Sequence, residues 1–111
     1  MSTVLSERRR FLKEALRHKA REMLARAAEL LYAEGAKEVI AFGSVLKSGG
    51  FDEHSDVDIA VKGLAEEKKL AVERKLEDIF VDIAFDVIFL EDEVRAEIRE
   101  KIQREGMIWK R

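Results

Sequence analysis

A chain of 111 residues with no cysteine and no proline, 40% charged and 47% hydrophobic, has the length of one unit, so a single domain is expected over residues 1–111. Without cysteine there is no disulfide framework, thiolate nucleophile or Cys-ligated zinc, and no run of about 18 apolar residues is present to span a bilayer. The 21 basic and 23 acidic residues give a net charge of -2, which supplies no global positive field for a long nucleic acid, so strong nucleic-acid binding is not expected.

The apolar stretch in Met1–Ser6, ahead of Glu7, Arg8, Arg9 and Arg10, is too short for a signal peptide, and the chain is read as a mature cytoplasmic protein. There is no Asn and a single Gln, Gln103, while Glu, Lys and Arg abound. That composition is associated with hyperthermophilic proteins and leads us to expect a thermophilic source.

From Ser6 to about Glu34, Leu12, Leu16, Ala20, Leu24, Ala27 and Leu31 recur at spacings of three and four, which predicts a long amphipathic helix. Ser6 is its expected N-cap, and Gly35 stands where a left-handed residue would end it. Its basic first half, Arg8 to Arg21, is read as a solvated surface. Val39-Ile40-Ala41-Phe42 is a first strand ending at Gly43-Ser44, followed by a short helical turn through Val45, Leu46 and Lys47 and an exposed loop over Ser48–Ser55. Asp56–Val61 is a second strand, Leu64 to about Phe80 a helix, Ala84–Phe89 a third strand and Glu91–Glu105 a last helix. Gly106 closes that helix, and Met107-Ile108-Trp109 is expected to add a short final strand.

Carboxylates inside apolar strands are the departure that points to chemistry, because Asp is depleted in strands and is seldom buried unless paired or bound to metal. Asp56 and Asp58 stand two apart and project from one face, and Asp86 interrupts the next apolar strand where it can join them. Clustered carboxylates repel, and the usual compensation is one or two hard divalent cations, Mg²⁺ where substrate phosphates complete the oxygen shell. The plainer alternative makes Asp56 a strand cap and leaves Asp82 or Asp86 at a solvated sheet edge; a third Asp in a third strand argues against it. Gly43 lets backbone approach a ligand, the following amides and the Ser44 hydroxyl can donate to phosphate oxygens, and Lys47 one turn on can bring an ammonium to them. No GxxxxGK[ST], GxGxxG or HExxH motif occurs.

Gly43-Ser44, the intervening loop, Ser55-Asp56-Val57-Asp58-Ile59 and Phe85-Asp86-Val87-Ile88 together resemble the minimal nucleotidyltransferases of the DNA polymerase β superfamily. Ile102-Gln103-Arg104-Glu105-Gly106-Met107-Ile108 resembles that family's closing helix and strand. The family spaces GS and DxD by about ten residues, whereas eleven, Val45 to Ser55, separate them here, an insertion a loop tolerates. The resemblance implies an α/β (α+β) fold, a mixed sheet of about four strands with helices packed on one side, the long N-terminal helix being additional. It implies two Mg²⁺ ions about 3.5 to 4 Å apart, held by Asp56 and Asp58, with Asp86 completing the ion nearer the nucleophile or accepting its proton. ATP would be the substrate, its β and γ phosphates held by Gly43 and Ser44 with help from Lys47. The stand-alone members of this size imply a HEPN-domain toxin as partner, with AMP transferred to one of its hydroxyls, so that the chain acts as its antitoxin. An antitoxin acting by occlusion, or a transferase for a small-molecule acceptor with a homo-oligomer completing its pocket, are the alternatives.

Overall fold

The computed structural model describes residues 4–110; Met1–Thr3, part of the segment weighed above as a signal peptide, lie outside the described residues. Helix α1 (Val4–Ala33) leads to strand β1 (Glu38–Phe42), a 3₁₀ turn (Ser44–Leu46), β2 (Val57–Lys62), a second 3₁₀ turn (Glu66–Lys68), α2 (Lys69–Ile79), β3 (Phe85–Phe89), α3 (Ala96–Glu105) and β4 (Met107–Ile108). The strands form one mixed sheet in the order β3-β2-β1-β4. β1 is antiparallel to β2 and β4, whereas β2 and β3 are parallel. This is the expected α+β class with its four-stranded sheet and long first helix.

Side-chain alternation divides the sheet. Val39, Ala41, Val57, Ile59 and Val61 point to one face and join Leu24, Leu31, Val72 and Leu76 of α1 and α2 in the main core. Ile40, Phe42, Ala60 and Ile88 point the other way and meet Ile98 and Ile102 of α3. The helices were expected on one side; α1 and α2 are, but α3 lies on the opposite face because β1 and β2 carry apolar residues on both faces.

Helix α1 begins by Val4, so Ser6 lies inside it and does not cap it. Its last turn ends as expected at Gly35, with φ at 107°. Gly35 N–H donates to Tyr32 O and Ala36 N–H to Leu31 O, both at 3.0 Å, the paired bonds of a Schellman end. The buried residues of α1 start at Ala20. Leu12, expected in the core, is 57% exposed, because it precedes the part of the helix that packs into the core. Arg8, Arg9 and Arg10 are exposed there, in line with a solvated surface, but Arg17 is half-buried and Arg21 stacks 5.1 Å from the centre of the Trp109 ring.

Two predicted helix starts come too early. Leu64 is buried as the chain leaves the sheet and Ala65 is extended, so regular helix waits until Lys69. Glu91 and Asp92 spend their carboxylates elsewhere, Glu91 on the Gly63 N–H at 3.1 Å and Asp92 on the Lys69 ammonium at 2.8 Å, and α3 starts only at Ala96. No helix among the described residues is long and apolar enough to cross a membrane.

A Cβ added at Gly35 would meet nothing within 4 Å, so Gly35→Ala isolates the backbone cost of positive φ. It is expected to lower stability by about 1–2 kcal/mol, read as a lower midpoint in urea with an unchanged slope.

Candidate active site

The parallel register sets Asp58 of β2 directly opposite Asp86 of β3. Both belong to the face that α3 partly covers. Asp56 precedes β2 by one residue and is therefore in the approach to the strand, not within it as expected. On its other side Asp58 pairs with Phe42, which brings the next residue, Gly43, against the carboxylate. Gly43 has φ 83° and ψ -158°, a region open to glycine, and a Cβ there would stand 2.5 Å from Asp58 Oδ2. The glycine is required twice over, once by its backbone angle and once by the carboxylate beside it.

Burial is the main cause that pushes the Asp58 carboxyl up to about 6; Lys101 opposes it, and Asp86, Asp56 and Glu105 add to it by repulsion. All three sequence-predicted carboxylates thus act on one locus. Ser44 opens the 3₁₀ turn, whose first amides find no acceptor within the turn itself. The Gly43 N–H, expected to face phosphate, instead donates to Glu105 Oε1 at 3.1 Å. Lys47 is exposed and holds its ammonium 3.7 Å from Glu105 Oε2. Asp52 accepts the His54 N–H at 2.8 Å and its own N–H meets Ser55 Oγ at 3.1 Å, ordering the loop just ahead of Asp56.

Glu105 and Lys101, both on α3, were not anticipated as site residues. Glu105 left a signal: an acid in the last turn of a helix opposes the macrodipole, which a distant partner has to offset, and here the Gly43 N–H does so. Lys101 left none, since it reads as an ordinary exposed helix cation.

Among the described residues no group of three acidic or histidine side chains closes around a point that could hold a metal ion. The donor set fits Mg²⁺ nonetheless, because that ion is commonly held by one or two carboxylates with phosphate oxygens and water completing the shell. Asp58 and Asp86 in register supply those carboxylates, and their mutual repulsion is what a cation would relieve.

Residues 27–110 match the model of the family described as "Polymerase beta, Nucleotidyltransferase". In structure the chain is similar to a chain of a toxin–antitoxin complex with AMP-PNP, with 23% identity, a TM-score of 0.58, and 74% of this chain and 68% of that one covered. It is also similar to a chain of a complex of tri-AMPylated Shewanella oneidensis HEPN toxin with MNT antitoxin, at 22% identity, TM-score 0.52, and 74% and 65% covered. A chain of the toxin–antitoxin MntA-HepT gives 20% identity, TM-score 0.52, and the same coverage, 74% and 65%. No curated protein matches the sequence.

The folded-state value near 6 for Asp58 lies above its ordinary 3.8, so the native state binds the proton more tightly than the unfolded chain. Stability contributed by this group is therefore lost as pH rises through that interval and stays lost above it. Asp58→Asn is expected to raise stability near neutral pH by about 1 kcal/mol, roughly 4 °C in Tm, after discounting for solvent access. The gain should shrink as pH falls and approach nothing below about pH 3, where Asp58 is protonated in both states. Thermal melts of both proteins in chelator at the two pH values check the sign; an equal gain at both would contradict it.

Proposed function

The chain belongs to the polymerase beta nucleotidyltransferase family, and we propose that it is a Mg²⁺-dependent antitoxin that transfers AMP from ATP to a hydroxyl of a partner HEPN toxin. The observation that carries this reading is the register of Asp58 beside Asp86, at the end of the sheet where Gly43 and Ser44 begin their turn. It is supported by the family match and by fold-sharing complexes, one with AMP-PNP and one with an AMPylated HEPN toxin.

In the transfer, the acceptor hydroxyl oxygen forms a bond to the α-phosphorus of ATP, the bond from that phosphorus to the bridging oxygen breaks, and pyrophosphate leaves. Asp56, Asp58 and Asp86 would hold Mg²⁺, which supplies positive charge to the phosphates and lowers the pKa of the attacking hydroxyl. The Ser44 hydroxyl donates to a phosphate oxygen and the Lys47 ammonium offsets phosphate charge. A carboxylate oxygen of Asp86 receives the hydroxyl proton. Lys101, which already favours the ionised form of Asp58, keeps that carboxylate able to bind cations.

Asp86→Asn should cut AMP transfer by about 100-fold or more while ATP binding with Mg²⁺ stays within several-fold of wild type. Co-expression with the partner, scored by growth and by an added partner mass of about 329 Da, tests the reading: neutralisation that survives without the added mass would replace it by occlusion. Ser44→Ala is expected to weaken ATP binding by roughly 2- to 13-fold, the equivalent of one hydrogen bond of 0.5–1.5 kcal/mol. Calorimetry with Mg²⁺ present measures it, and wild-type affinity would remove the hydroxyl from the phosphate site.

A further inference from the structure

The first 26 residues lie outside the part of the chain that matches the family, residues 27–110, yet two of them reach into the turn after Gly43. Arg17 of α1 donates from Nε to Val45 O at 2.9 Å and from Nη2 to Leu46 O at 3.2 Å. Its side chain is only 17% exposed, so these bonds are shielded from competing water. Glu14, one turn earlier, accepts from Gly49 N–H at 2.7 Å and Ser48 Oγ at 3.2 Å, and pairs with Arg17 at 3.4 Å. The Gly49 N–H above all holds the Glu14 carboxyl below the ordinary carboxylate value, so it stays ionised at neutral pH.

A single 3₁₀ turn cannot satisfy its own last carbonyls. Within the turn, Gly43 O takes Leu46 N–H at 3.1 Å and Ser44 O takes Lys47 N–H at 3.0 Å. The two carbonyls that follow, Val45 and Leu46, are those that Arg17 takes. With four successive carbonyls engaged and each peptide planar, the orientation of the turn is determined from Gly43 to Lys47. Glu14 then ties the backbone just beyond Lys47. Lys47 therefore sits between two tethers that both come from α1.

We propose that Glu14 and Arg17 are positioning residues for the phosphate-binding turn, through which the N-terminal half of α1 sets the turn's nucleotide affinity. The proposal rests on reading that turn as the phosphate site, so its test includes a measurement that needs no nucleotide. The planar guanidinium fork serves two carbonyls at once, which an ammonium on a flexible stem does not.

Hydrogen exchange by mass spectrometry, without nucleotide, is compared among wild type, Arg17→Ala, Arg17→Lys, Glu14→Gln and Lys75→Ala. Lys75→Ala is the control, because it removes a different contact of α1's end, the 2.9 Å pair with Glu34. Exchange in a peptide spanning residues 43–50 is expected to rise about tenfold or more in Arg17→Ala, less in Arg17→Lys, and not in the control, with α2 and β3 unchanged. Calorimetry with Mg²⁺ and ATP should show about 5- to 20-fold weaker binding for Arg17→Ala. For Glu14→Gln, which keeps an acceptor for the Gly49 N–H, the loss should be smaller. Exchange at 43–50 that is unchanged, or that rises equally throughout the domain, overturns the proposal. Local loosening in Arg17→Ala with wild-type nucleotide affinity also overturns it. If Arg17→Ala does not fold, Arg17→Lys and Glu14→Gln carry the same comparison. Wild type that binds no nucleotide would refute the transferase reading and with it this role, whereas wild type that binds while the variants differ only in exchange refutes the positioning role alone.

Discussion

Two carboxylates on neighbouring strands repel unless something is built to keep them there, and the parallel register that opposes Asp58 to Asp86 is the constraint on which the rest of this fold depends. A parallel pair cannot be joined by a tight turn. The chain must leave β2, cross over and return at the same end, and α2 with its flanking turns makes that crossing. In doing so it buries Val72 and Leu76 against the sheet. The burial of this face, supported by α1, offsets the charge repulsion tolerated on the other.

The opposite face is shared between packing and polarity. There α3 covers Ala60 and Phe42 with Ile102, while Asp58, the partner of Phe42, stands between Gly43 and Asp86. Burial on this face pushes the Asp58 carboxyl up to about 6. The same helix brings Glu105 to the Gly43 N–H and Lys101 toward Asp58. A helix that looks like a simple lid over apolar residues therefore also acts on the charge of Asp58. Tyr32 completes the frame, donating to Trp109 O at 2.7 Å and receiving the Val39 N–H at 3.1 Å, so that α1, β1 and the chain beyond β4 hold one another.

Much of this was legible in residue order. The apolar runs over Val39–Phe42, Ile59–Val61 and Val87–Phe89 have the length and β-branched content of strands, and the spacing from Leu16 to Leu31 is that of a helix face. Gly35 announced its left-handed end because an L side chain pays for that backbone region. Asp58 and Asp86 were conspicuous because charge interrupts apolar strands at a cost. Less legible were the starts of α2 and α3: helical spacing continues upstream of both, but Leu64 is drawn into the core and Asp92 is taken by Lys69. Those competitors lie far away in sequence, and periodicity carries no information about them.

Sequence by itself determined the class of fold, the order of its elements and the carboxylates and Gly-Ser turn of the candidate site, since all of these express local preferences or the cost of placing a polar group in an apolar run. Tertiary structure alone decided that α3 crosses to the second face, that Glu105 occupies the Gly43 amide, and that Glu14 and Arg17 clasp the turn from α1. Each of these joins groups separated by 28 or more positions or by a sheet. A Glu or Arg on a helix reads the same whether it meets water or a backbone group, and only the folded chain's geometry distinguishes the two.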